Sequence, residues 1–171
     1  MFNKTISRKK LKIVSTNITV RSAIKEDQLE IGKLVRKERL NPIRLNWKRF
    51  IIAVEPGGRV IGCSQIKPQK VNCYELASLV IHPDFRGQGI ARMIIECQLN
   101  SVDEDLYLMC RESLGDFYRI FGFVLIPTSE MPRFFRRVSR FAHFTDSFRS
   151  GEGLLIMRRK SSIYQEQNPE V

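Results

Sequence analysis

Apolar and polar positions recur along this chain in two rhythms, and the switches between them mark its elements. Ile18-Thr19-Val20-Arg21 alternates with a period of two, as a half-buried strand does. Beyond Ala23 the period lengthens to that of a helix. Ile24, Leu29, Ile31, Leu34 and Val35 form its apolar stripe, Lys33, Arg36, Lys37 and Arg39 face water, and Leu40-Asn41-Pro42 ends it. Ile43 to Lys48, with Trp47, is irregular. Phe50 to Glu55 and Arg59 to Ile66 are β-rich runs joined by Pro56-Gly57-Gly58, a hairpin signal. After Pro68 the chain resumes at Val71, and Tyr74 to Ile81 is the longest strand expected.

The second half repeats the alternation of strand and helix. A helix from Gly89 to about Val102 carries Ile90, Met93, Ile94 and Cys97 on one face, with Arg92, Glu96 and Asn100 away from it. Leu106 to Cys110 reads as a short strand and Leu114 to Phe121 as a short helix. Gly122 closes that helix before the strand Phe123 to Ile126. Glu130 to Phe144 reads as an extra basic helix. Pro132 lies near its first turn, Phe134, Phe135, Val138 and Phe141 form a stripe, and Arg133, Arg136, Arg137 and Arg140 lie around it. A last strand, Gly153 to Met157, precedes a frayed end. Strands alternating with helices imply an α/β or α+β sheet.

Composition adds limits. A chain of 171 residues with 43% hydrophobic and 27% charged content supports one domain with a sizeable core, expected over residues 17–160. Residues 1–16, rich in Lys and Arg without periodicity, read as a mobile basic arm, and 161–171 as a flexible tail. No apolar run approaches the roughly 20 residues that span a bilayer, and the first residues lack the apolar core of a secretory signal, so no membrane partner is expected. Cys63, Cys73, Cys97 and Cys110 fall one per element, and His82 and His143 lie far from metal-ligand spacing. Buried reduced thiols and no metal are the expectation.

The candidate chemistry centres on LVIHPDFRGQGIAR, residues 79–92. A strand run stops at Pro83 and enters a helix through Gly87-Gln88-Gly89. The first N–H groups of a helix lack partners inside it and carry about half a positive charge, so a phosphate suits them. A dinucleotide fingerprint would need glycine at the sixth position from Gly87, where Arg92 stands. A P-loop would need Lys-Ser or Lys-Thr after Gly89, where Ile90-Ala91 stands. The spacing that fits is Arg86-x-x-Gly89-x-Ala91. It resembles the acetyl-CoA pyrophosphate signature of the GCN5-related N-acetyltransferases (GNAT).

Three segments carry that resemblance, in order: ITVRSAIKED from Ile18, HPDFRGQGIAR from His82, and DFYRIFGF from Asp116. The resemblance implies a mixed, mostly antiparallel sheet of about seven strands flanked by helices, from about Ile18 to Arg159. It implies acetyl-CoA as co-substrate and direct transfer of its acetyl group to a primary amine, on a protein or a small molecule, in a ternary complex without a metal. By position, the backbone of Leu79, Val80 and Ile81 would hold the pantetheine arm. The N–H groups of Arg86, Gly87, Gln88, Gly89, Ile90 and Ala91 would take the pyrophosphate, with Arg92 following.

Tyr118 matches the family tyrosine that protonates the departing thiolate; the bland alternative is a core aromatic. Glu75, eleven positions before Arg86, stands where histone-type members place a glutamate base; the alternative is a strand-end charge. Arg111 and Leu114 depart from the Asn and Ala found in many members, so no substrate transfers with the resemblance. Arg111 either reaches the cofactor or is solvated. NPIRLNWKRF, CRESLGDFYRIFGF and PRFFRR are similar in texture to uncharacterised N-acetyltransferases of cyanobacteria and red-algal plastids. That implies a plastid stroma or a bacterial cytoplasm. The net charge of +11 suits a cofactor rich in phosphate and disfavours strongly cationic acceptors. It also admits a second reading: a catalytically silent module that binds nucleic acid or a protein partner. Monomer and homodimer remain open.

Overall fold

The computed structural model describes residues 18–70, 73–141 and 153–161. The strands are β1 (Thr19–Ser22), β2 (Phe50–Val54), β3 (Val60–Lys70), β4 (Cys73–Ile81), β5 (Leu106–Arg111), β6 (Val124–Leu125) and β7 (Leu154–Arg159). The helices are α1 (Gln28–Lys37), α2 (Ile90–Leu99), α3 (Gly115–Arg119) and α4 (Arg133–Phe141). One sheet orders the strands β1-β2-β3-β4-β5-β7-β6. The β1/β2, β2/β3, β5/β7 and β6/β7 pairs are antiparallel, and β4/β5 is parallel. This is the mixed, mostly antiparallel architecture that the resemblance implied. A parallel pair cannot be closed by a tight turn, and α2 lies on the connection between β4 and β5.

The chain forms two compact units, one of residues 18–66 and 78–102, the other of 67–77 and 103–161. In the first unit every residue of β2 is buried, which suits a strand covered on both faces. Phe50, Ile52 and Val54 pack with Ile31, Leu34 and Val35 of α1, while Ile51 and Ala53 pack with Ile90 and Ile94 of α2. Each buried Val, Leu, Ile or Phe side chain among these contributes about 1.5–3 kcal/mol. The α2 layer sits close. A Cβ added at Gly62 would lie 2.7 Å from Ile81 Cδ1 and 3.0 Å from Ile94 Cδ1, so the ends of those side chains would have to shift to admit it. The second unit has its own core, in which Cys73 of β4, Tyr107 of β5 and Ile156 of β7 meet Phe135 of α4.

Several expectations are corrected. Ile24 and Leu29 are 50% and 75% exposed and belong to no stripe. Ile24 precedes a 3₁₀ turn, Lys25–Asp27, whose Asp27 carboxylate accepts from Ile24 N (2.7 Å) and from Arg21 (2.7 and 3.0 Å). Leu29 lies about 200° around the helix from Ile31. The longest strand is β3, not β4, because it continues through Pro68 to Lys70. Proline lacks a donor but its φ suits extended backbone. The helix α2 stops at Leu99, where Ser101 turns back on Gln98, Oγ to O 2.7 Å. It also buries Ile95 and Gln98, which the periodicity left out; Gln98 Nε2 donates to Ser64 O (2.8 Å).

In the region read as irregular, Asn46 caps a 3₁₀ turn, Trp47–Arg49. The short helix begins later than expected, at Gly115, after a 3₁₀ turn over Glu112–Leu114. The strand expected over Phe123 to Ile126 contributes only Val124–Leu125 to the ladder. The described part of the basic helix is Arg133–Phe141. Residues 142–144, the basic arm (1–16) and residues 162–171 of the tail lie outside the described residues.

Candidate functional site

The first unit carries the candidate cofactor residues. Leu79, Val80 and Ile81 end β4, with Val80 buried and its neighbours half-buried. His82 N donates to Ile61 O (2.7 Å), which fixes the exit of the strand. Pro83–Phe85 then form a 3₁₀ turn closed by Phe85 N to His82 O (2.9 Å) and Arg86 N to Pro83 O (3.2 Å). The backbone N–H of Arg86 is therefore spent inside the turn, and the run of candidate donors starts at Gly87. Its side chain remains in place: Nε donates to Ile81 O (3.2 Å) and the guanidinium pairs with Glu38.

Gly87 and Gly89 both have φ +76°, a conformation costly for any residue with a Cβ. No atom lies within 4 Å of where either Cβ would stand, so conformation and not crowding demands glycine. Gly89 caps α2 directly, so Ile90 and Ala91 present N–H groups with no partner inside the helix. Gln88 and Arg92 are exposed beside them. A left-handed turn leading into a ten-residue helix is a concave anion cradle of the kind phosphates occupy. The pyrophosphate of acetyl-CoA fits this donor set.

Two candidate catalytic residues lie in the second unit. Glu75, 7% exposed, stands opposite Tyr107 in the β4/β5 register and accepts a hydrogen bond from Gln69 Nε2. Tyr118, 8% exposed, projects from α3 into an aromatic group, with Phe117 and Phe123 at 5.1 and 6.1 Å in edge-on contact. Gly122 closes the turn behind it, N to Arg119 O 2.9 Å. Burial pushes the Tyr118 phenol far above its ordinary value, and the Cys110 thiol adds to the push. Cys110 is itself raised by burial to about 11.

Strand alternation separates the two residues. Tyr107 shares the face of Glu75 and stacks on Phe135 of α4 at 5.3 Å. Cys110, three residues on in β5, points to the opposite face, the one Tyr118 occupies. Glu75 and Tyr118 thus serve opposite faces of the same strands.

Two residues in this region escaped sequence reasoning. Ser78 in β4 has φ +56°, and Gln65 of β3, fully buried, donates Nε2 to Ser78 Oγ at 3.0 Å. Neither belongs to a motif, and only the fold reveals them. Among the described residues, no three His, Cys, Asp or Glu side chains come together as metal ligands, and no helix is long and apolar enough to cross a membrane.

Residues 46–125 match the model of the acetyltransferase (GNAT) domain. N-acetylglutamate synthase from Neisseria gonorrhoeae, solved with coenzyme A and N-acetyl-glutamate, is similar at 20% identity and TM-score 0.61, over 84% of this chain and 35% of that one. The chain thus spans about a third of that synthase. Rv2747 from Mycobacterium tuberculosis, solved with CoA, is similar at 21% identity and TM-score 0.62, covering 82% of this chain and 98% of that chain. A GCN5-related N-acetyltransferase from Kribbella flavida follows at 17% identity and TM-score 0.60, covering 84% and 98%. At these identities the likeness is one of fold. No curated protein matches the chain.

Proposed function

We propose that this chain, whose residues 46–125 match the acetyltransferase (GNAT) domain, is an acetyl-CoA-dependent N-acetyltransferase acting on a primary amine by direct attack in a ternary complex. The observation that carries the reading is the cradle: two left-handed glycines and the N-terminus of α2, continuous with β4. Gly87 to Ala91 would hold the pyrophosphate, and the backbone of Leu79, Val80 and Ile81 the pantetheine arm. The bound thioester supplies an acyl group activated for transfer. The residues then have two protons to manage.

An aliphatic amine is almost wholly protonated at neutral pH, with a reference pKa near 10.4, so a base must take its proton before attack. Glu75, on its own face of β4, would be that base. On the opposite face Tyr118 keeps its proton, because burial opposes ionisation, and would give it from Oη to the departing thiolate.

The experiment is release of coenzyme A from acetyl-CoA across a panel of amines. Amino acids belong in it first, since a structural neighbour carries the name of an N-acetylglutamate synthase. Release that depends on one amine class supports the reading; none with any amine, in a protein that binds acetyl-CoA, would leave a silent module. The resemblance to plastid and cyanobacterial proteins supports a plastid stroma or bacterial cytoplasm as the place of action.

A further inference from the structure

The cofactor strand contains one residue in a conformation its side chain disfavours. Ser78 has φ +56°, one of three non-glycine residues with positive φ among the described residues, and the only one of them within a strand. Left-handed backbone is uncommon for a residue with a Cβ and persists where its surroundings over-determine it. Here those surroundings are two residues of β3. Gln65 Nε2 donates to Ser78 Oγ at 3.0 Å, and Cys63 Sγ lies 3.8 Å from Ser78 O.

Gln65 is fully buried, yet its Oε1 has no hydrogen-bond partner among the described residues. A buried amide with an unused acceptor costs stability, and an apolar side chain of the same volume would serve the core better. A residue kept at such a cost is explained by the conformation it imposes. That conformation falls immediately before Leu79, Val80 and Ile81, where it turns the strand.

We propose that Gln65 is a positioning residue. Its amide holds Ser78 left-handed and thereby sets the direction in which the backbone of Leu79, Val80 and Ile81 presents its N–H and C=O groups to the acyl-CoA. The inference deepens the proposed function and rests on its assignment of those three residues to the cofactor.

Two substitutions that remove the same hydroxyl separate conformation from contact. Ser78→Ala loses the anchor and keeps the disfavoured φ, whereas Ser78→Gly loses the anchor but adopts that φ freely. Ser78→Ala should weaken acetyl-CoA about tenfold by calorimetry, comparable to the net worth of one hydrogen bond. Ser78→Gly should weaken it clearly less. Gln65→Met should weaken acetyl-CoA as Ser78→Ala does, raising KM more than it lowers kcat, without lowering Tm, since the unused amide acceptor goes with it. Adding Ser78→Gly should then recover most of that loss. In the absence of cofactor, hydrogen exchange at the amides of Leu79 to Ile81 should quicken in Ser78→Ala and Gln65→Met, and less in Ser78→Gly.

Equal losses in Ser78→Ala and Ser78→Gly would overturn the proposal, as would unchanged exchange in Gln65→Met. If the native protein binds no acetyl-CoA, the proposed function falls, and the exchange data alone still decide the role of Gln65.

Discussion

A residue that gives a proton and a residue that takes one need different surroundings, and the two candidates differ in where their partners lie. The Tyr118 hydroxyl sits among aromatic rings, so its charged form is disfavoured and the proton stays on. Tyr118→Phe removes one oxygen and little contact area. Its kcat should fall roughly 10²- to 10⁴-fold, the usual scale of acid–base assistance, with acetyl-CoA affinity near that of the native protein. Unaltered turnover would return Tyr118 to the core as a packing aromatic. The sign of its pKa shift also predicts the alkaline side of the pH profile. A donor held above the ordinary value of about 10 remains protonated throughout the neutral range, so kcat should show no descending limb below about pH 10. Glu75→Gln keeps the bond from Gln69 sterically possible but removes the base. The expected loss of rate at neutral pH should shrink as the pH rises and more amine is free, and a constant ratio of variant to native rate across pH would exclude Glu75 from that role.

Between the residues and the chemistry stand the elements, and here the glycines of the cradle are the most exposed to test. Gly89→Ala meets no steric obstacle, since nothing lies within 4 Å of the new Cβ, but φ +76° would cost about 1–2 kcal/mol. The variant should melt lower and bind acetyl-CoA more weakly, read by calorimetry and thermal unfolding, and a Gly89→Ala protein indistinguishable from native would mean the N-cap is not the anion site. This turn was legible in the sequence because glycine spacing and the start of an apolar helical stripe are local signals. So were the hairpin at Pro56-Gly57-Gly58, closed as expected by Gly58 N to Glu55 O at 2.9 Å, and the core faces of α1 and α2 in outline. What the residues concealed depends on distant partners. Pro68 reads as a strand end until β3 runs past it. Ser78 reads as an ordinary strand residue, because its left-handed φ is imposed by Gln65, thirteen positions earlier. For the same reason Glu75 and Tyr118 were legible as chemical types but their assignment to opposite faces was not, since it follows from the β4/β5 register.

At the scale of the molecule the question is which part of the +11 charge the cofactor uses. The positive groups fall into two sets. Arg86 lies at the cradle in one unit, with Arg92 exposed beyond it; Arg133, Arg136, Arg137 and Arg140 of α4 line a cavity of about 150 Å³ in the other. If the cradle takes the pyrophosphate, acetyl-CoA at one hundred times its Kd should stabilise the fold by about 2.7 kcal/mol, a rise in Tm of several degrees for a chain of this length. Surface charge interactions are screened within about 8–10 Å at ordinary ionic strength, so only cations near the phosphates contribute to how steeply affinity falls with salt. Arg86→Met should therefore flatten the salt dependence of acetyl-CoA binding, whereas Arg137→Ala should leave it as it is. The reverse result would move the anion site to α4 and favour the rival in which that ridge of arginines, spaced at one helical face, grips a phosphate backbone. In that case RNA binding, and not acetyl-CoA binding, would carry the steep salt dependence, with a slope set by the number of phosphates neutralised.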